Sequence, residues 1–175
     1  MSNMRAKIII AAIGLASLTG AAVAQDPTSI LRGHDVNAPV DIAADRIEVQ
    51  DRNDRALFIG NVVARQGALT LSTARLRIAY STGDGVDIDR LDASGGVTVR
   101  SGDERASGDY AIYDLNERVI TLVGNVELRQ GANEIYGSRL TINLVSGRAV
   151  IDGGPRGVDQ SGGRVTGRFT VPQND

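Results

Sequence analysis

Gly60-Asn61-Val62-Val63-Ala64-Arg65-Gln66-Gly67-Ala68 returns as Gly124-Asn125-Val126-Glu127-Leu128-Arg129-Gln130-Gly131-Ala132. A weaker copy, Gly95-Gly96-Val97-Thr98-Val99-Arg100-Ser101-Gly102, lies between them. Each copy opens on glycine, alternates side-chain types, and closes on a second glycine. Successive side chains of a strand point to opposite faces, so period two marks a half-buried strand. The opening glycines are 35 and 29 residues apart, so the copies differ in loop length. One strand-pair unit laid down repeatedly fits this pattern, each copy burying its apolar face against the next.

The same alternation runs outward from the copies. A small residue and a second alternation follow each: Ala74-Arg75-Leu76-Arg77-Ile78, Gly108-Asp109-Tyr110-Ala111-Ile112 and Ser138-Arg139-Leu140-Thr141-Ile142. Ile47-Glu48-Val49 and Leu69-Thr70-Leu71 alternate too. No stretch of 11 or more residues carries a helical period. Turn chemistry is dense at Gly83-Asp84-Gly85, Ser101-Gly102-Asp103, Gln130-Gly131-Ala132-Asn133 and Gly153-Gly154-Pro155. Short strands with such turns predict an all-β sandwich, barrel or roll. A final strand is expected within Arg164–Val171, after a loop carrying Gly157, Gly162 and Gly163.

The N-terminus has a different character. Arg5 and Lys7 precede the apolar run Ile8–Leu18, and Ala22-Val23-Ala24 follows. That is the layout of a cleavable secretory leader over residues 1–24, with an uncleaved anchor as the alternative. The run is short for a bilayer span. Without the leader, 151 residues remain, with 17 basic and 21 acidic side chains and a net charge of −4. All 17 cations are arginine, because Lys7 is the only lysine. An acidic balance argues against a nucleic-acid partner. Residues 25–39 read as an arm, 40–171 as one domain of ordinary size, and 172–175 as a tail.

Chemistry is harder to find. The chain has no cysteine, which excludes disulfides, thiolate metal sites, a cysteine nucleophile and a lipid-modified cysteine. Its one histidine, His34, is the only candidate base for a serine–histidine–aspartate triad, and it sits in the arm. Asp84, Asp87 and Asp89 have an oxygen-ligand spacing for Ca²⁺, but a hairpin turn accounts for the same residues. No cofactor is expected, and nothing asks for an enzyme. The apolar alternation is the informative part: Ile47, Val49, Leu69, Leu71, Leu76, Ile78, Val97, Val99, Ile112, Val126, Leu128, Leu140 and Ile142 form a set expected to face inward. These side chains are aliphatic. Only six aromatics follow the leader. Composition alone favours an ordinary dry core over a lipid-filled one.

Two features carry a family resemblance. Ile42-Ala43-Ala44-Asp45-Arg46-Ile47-Glu48-Val49 resembles the opening strand of the OstA-like N-terminal domain. The spaced Gly60-Asn61-Val62 and Gly124-Asn125-Val126 resemble its repeated strands. With the leader and chain length, the sequence resembles the LptA / OstA-like family of lipopolysaccharide export proteins over about residues 38–171. Membership implies an open, V-shaped β-jellyroll of two facing sheets without helices. It implies a periplasmic protein that holds lipid A acyl chains in an apolar groove, here the inward set above. It also implies end-to-end association with further copies, with LptC-like inner-membrane proteins and with LptD-like outer-membrane proteins. The alternative from another class is a structural or adhesive exported β-repeat protein with a dry core.

Overall fold

The computed structural model describes residues 34–50, 54–83, 85–154 and 163–171. The leader, the first part of the arm, Asp84, most of the glycine-bearing loop after Pro155, and the tail lie outside the described residues. Ten strands make up the described fold, and no helix occurs among these residues. They are β1 (Val40–Ala43), β2 (Arg46–Gln50), β3 (Arg55–Gln66), β4 (Leu69–Thr82), β5 (Val86–Ser101), β6 (Glu104–Asp114), β7 (Val119–Gln130), β8 (Asn133–Asn143), β9 (Arg148–Asp152) and β10 (Thr166–Arg168). All pairings are antiparallel. The path runs β1-β3-β4-β5-β6-β7-β8-β10, with β2 also on β3 and β9 also on β8.

Strands β3 to β8 are 11 to 16 residues long, about twice the common length. Each is two ordinary strands joined at a bulge. Ile59 pairs with Arg75 and Val62 with Thr73, so Gly60 and Asn61 face the single residue Ala74. Gly95 and Gly96 likewise face Ala74 on one side and Asp109 on the other. Gly124 and Asn125 face Ser138. The extra residue bends its strand and increases the twist. The bulges line up across the sheet and form one crease. The expected all-β, open jellyroll is what forms: its two facing sheets are the two leaves of one continuous sheet folded on this crease.

The glycines are required here. Gly60 and Asn61 have φ of +81° and +44°, and Gly124 and Asn125 have +80° and +45°. Glycine takes that region freely, and asparagine tolerates it better than most residues. A carboxylate then locks each asparagine: Asp45 from the break between β1 and β2, and Asp109 from β6. Asn61 Nδ2 donates to Asp45 Oδ2, and Asn125 Nδ2 donates to Asp109 Oδ2, both at 2.8 Å. The middle copy has Gly96 in place of asparagine, and Ala74 in place of the carboxylate.

The inner faces of the leaves meet in one apolar cluster. Leu69, Leu71, Val97, Val99, Val126 and Leu128 come from one leaf; Leu76, Ile78, Leu91, Ile120, Leu122, Leu140 and Ile142 come from the other. Each such side chain contributes about 1.5–3 kcal/mol on burial. This burial drives the sheet closed along its crease.

Candidate functional site

The inner face is covered in the middle and bare at its ends. Ten residues of the expected inward set, Leu69, Leu71, Leu76, Ile78, Val97, Val99, Val126, Leu128, Leu140 and Ile142, are buried in the shared core. Ile47 and Val49 stand apart. Their register partners on β3 are Phe58 and Ala56, which pack on the core, so both look inward. Yet they remain 54% and 64% exposed, because nothing described covers β2. They form an apolar floor at one open end of the fold.

Ile112 corrects the sequence reading. It lies on the outer face, half-buried beside Tyr110 in a surface cleft that also includes Arg75 and Arg77. The single residue opposite each bulge is Ala74, Asp109 or Ser138. Aligning Gly108 with Ala74 and Ser138 therefore places the β6 alternation one residue out of step. A one-residue slip turns every side chain to the other face. Ala111 and Tyr113 are the inward residues, and both are buried.

The opposite open end carries a second apolar hollow. Leu128, Ile135, Ala149, Ile151, Val165 and Phe169 surround a cleft of about 440 Å³. Strand β10 is the expected final strand, shortened to three residues, and Phe169 just beyond it is 64% exposed. The cleft lies in the size range of small-ligand sites. Its walls are mainly aliphatic, so it offers area without direction, as an acyl chain requires.

Between these ends a polar latch closes the lip opposite the crease. Gln66, at the end of β3, is buried. Its Nε2 donates to the Val36 and Ala38 carbonyls at 3.1 and 3.0 Å. Its Oε1 accepts the Tyr113 hydroxyl at 2.7 Å. His34 Nε2 lies 3.1 Å from the same oxygen, which can only accept, so Nε2 carries the proton in the neutral ring. Arg118 reaches Asn37 Oδ1 at 3.3 Å. The described end of the arm thus ties one leaf to the other. Sequence reading left His34 without a role and passed over Gln66 and Tyr113. The available signal was the glutamine shared by both full copies, Gln66 and Gln130. The Asp45–Asn61 and Asp109–Asn125 locks were missed too, although both pairs are 16 residues apart.

Burial pushes the Tyr113 hydroxyl up to about 12, with nearby Arg118 and the Gln66 contact offsetting part of the effect. An unfolded tyrosine ionises near pH 10. Between the two values the unfolded chain has released a proton that the folded chain keeps. Stability is therefore level below pH 10 and falls as pH rises toward 12, by up to roughly 2–3 kcal/mol. Tyr113→Phe should remove this fall. Urea unfolding across that range checks it, and an equally steep fall in the variant would assign the titration elsewhere.

Among the described residues, the acidic side chains near these features brace turns. Asp89 accepts from Ser81 Oγ at 3.4 Å and from Asn116 Nδ2 at 3.3 Å, as a turn-bracing residue does. Among the described residues, no cluster of three or more His, Cys, Asp or Glu side chains could hold a metal ion.

Comparison with known proteins agrees with this geometry. The chain matches the LptA/(LptD N-terminal domain) LPS transport protein family over residues 41–148. It is 32% identical over 159 residues to an uncharacterized protein of Rhizobium meliloti (strain 1021), covering 86% of each chain. A solved structure with the same fold is LptH, the LptA homologous periplasmic component of the lipopolysaccharide transport device from Pseudomonas aeruginosa. The match has a TM-score of 0.68 at 16% identity and covers 79% of this chain and 99% of that one. With its crease of repeated Gly-Asn bulges and its matched length, this chain belongs to the LptA/LptD N-terminal-domain family of LPS transport proteins.

Proposed function

We propose that this protein is a periplasmic lipopolysaccharide-binding protein that bridges inner- and outer-membrane components during lipopolysaccharide transport. The observation that carries the reading is the inward apolar face left bare at both ends: Ile47 and Val49 at one, the Phe169 cleft at the other. Acyl chains of lipid A lie on these surfaces, and each buried methylene contributes about 0.8 kcal/mol. The protein binds and passes its cargo without altering it, and is not an enzyme.

The ends also suit assembly. Among the described residues, β1 and β2 each pair only with β3, and β9 and β10 each pair only with β8. An edge strand with unpaired backbone groups accepts a further strand. Strand addition at the two ends joins copies of this chain end to end, an LptC-like protein at the inner membrane and an LptD-like protein at the outer membrane. It also makes the bare inner surfaces of neighbours continuous.

The burial of ten expected groove residues favours a second reading, a structural β-repeat protein whose core stays dry. Mass spectrometry of lipids extracted from natively purified protein separates the two. The transport reading expects lipid A-bearing species bound to the chain; the dry-core reading expects none.

A further inference from the structure

The outer face of one leaf carries a row of arginines that the groove does not use. Following the register one residue in from the lip, Arg65 pairs with Thr70, Thr70 with Arg100, Arg100 with Arg105, and Arg105 with Arg129. Arg129 pairs with Glu134, which pairs with Arg168 of β10. Strands in a sheet lie about 4.8 Å apart, so three arginines on β5, β6 and β7 stand side by side. Like charges directly opposite one another are destabilising. A fold gains nothing from this arrangement by itself.

Compensation is confined to one end of the row. Arg129 pairs with Glu127 and, at 3.3 Å, with Glu134. Among the described residues, no ion pair engages Arg65, Arg100 or Arg105, and all three are exposed. Asp41 is the register partner of Arg65, and Asp103 lies in the turn between Arg100 and Arg105, but neither closes on a guanidinium. The neighbouring outward row, two residues nearer the crease, offers hydroxyls: Ser72 pairs with Thr98, and Thr98 with Ser107. Adjacent guanidiniums backed by hydroxyls suit a phosphate, which arginine grips through paired N–H groups. The overall charge of the chain is −2, so the row is a local concentration of positive charge on an acidic protein.

Its place on the leaf says which phosphate. Arg65 adjoins Gln66 at the lip, and Arg100 and Arg105 flank the lip turn at Gly102-Asp103. The row also runs into the open apolar cleft: Leu128 lines that cleft, and Arg129, which follows it, is the register partner of Arg105, so a lipid with its acyl chains in the cleft sets its headgroup at the end of the row. We propose that the Arg65–Arg100–Arg105 row binds the phosphate groups of the lipid headgroup, so that the protein reads its cargo at two places. This rests on the lipid-carrier reading above. The acyl chains supply affinity on the inner face, and the phosphates supply selectivity on the outer rim.

The test is equilibrium binding of the full chain to diphosphoryl lipid A and to the same lipid with both phosphates removed. Wild-type protein should prefer the phosphorylated form by about tenfold or more, the scale expected of charge-assisted pairs, and lose that preference as salt rises. The Arg100→Gln/Arg105→Gln variant should bind the dephosphorylated lipid as wild type does and show little preference at any salt. Unchanged thermal unfolding would confirm that the exposed replacements leave the fold alone. A variant that keeps the preference, or a wild type that binds both lipids alike, would overturn the phosphate site while leaving the groove standing. A wild type that binds neither lipid would overturn the groove reading and this one with it.

Discussion

Ile142→Asp should leave the chain unfolded, whereas Ile47→Asp/Val49→Asp should leave it folded with its lipid affinity sharply reduced. Ile142 is fully buried in the core shared by both leaves. The replacement removes aliphatic packing worth about 2–5 kcal/mol and desolvates a carboxylate at a cost of several more. That sum rivals the whole stability of an ordinary domain, about 5–15 kcal/mol. Ile47 and Val49 present the opposite case. They face inward but lie more than half in water, so folding does not desolvate the new charges. The fold loses only strand propensity there, on a scale of about 1 kcal/mol. An acyl chain laid against β2 would have to desolvate both carboxylates. Lipid affinity should fall by at least about a hundredfold, given the several kcal/mol each buried charge costs. Circular dichroism and lipid binding, measured side by side, check both halves. Normal lipid binding by the folded double variant would remove β2 from the site.

Gly124→Ala should cost about 2–4 kcal/mol, while Gly96→Ala should cost only about 1–2. Both glycines sit in the left-handed region, at φ of +80° and +82°, so both replacements carry the same backbone strain. Of the two, only at Gly124 does the new methyl meet an obstacle: it would run into Asp109 Oδ2. The carboxylate must leave, and its hydrogen bond from Asn125 goes with it. Around Gly96 no atom lies within 4 Å of the added Cβ. The larger loss corresponds to a drop of very roughly 5–15 °C in unfolding temperature for a chain of this size. A double-mutant cycle with Asp109→Ala isolates the clash, because removing the carboxylate should recover part of the loss. Equal losses at Gly124 and Gly96 would show that the crease needs glycine freedom alone and that the aspartate lock is incidental.

The repeat that opened the reading turned out to be the crease itself. Period-two alternation on either side of Gly60-Asn61 and Gly124-Asn125 was enough to find the strands, because a strand half-buried on one face writes that period into its sequence. The side of the sheet was harder to read. Alternation continues through a two-residue bulge but reverses at the single residue opposite it. Sequence alone does not mark Asp109 as that residue, so Ile112 was placed inside while Tyr113 was missed. The lip latch was hidden for another reason. Gln66, Tyr113 and His34 are brought together from distant parts of the chain, and no local pattern announces a polar contact closed only by folding. The arginine row is likewise a product of register. Arg65, Arg100 and Arg105 are ordinary strand residues until pairing sets them side by side.

The inner face is therefore two things at once: a packed core through the middle of the fold and a bare apolar surface at its ends. The most direct measurement is the lipid content of natively purified protein, by mass spectrometry, for wild type and the Ile47→Asp/Val49→Asp variant prepared in parallel. The account predicts lipid A-bearing species with the wild type and their marked depletion in the folded variant. Wild-type protein free of lipid, or a variant carrying as much as wild type, would contradict it.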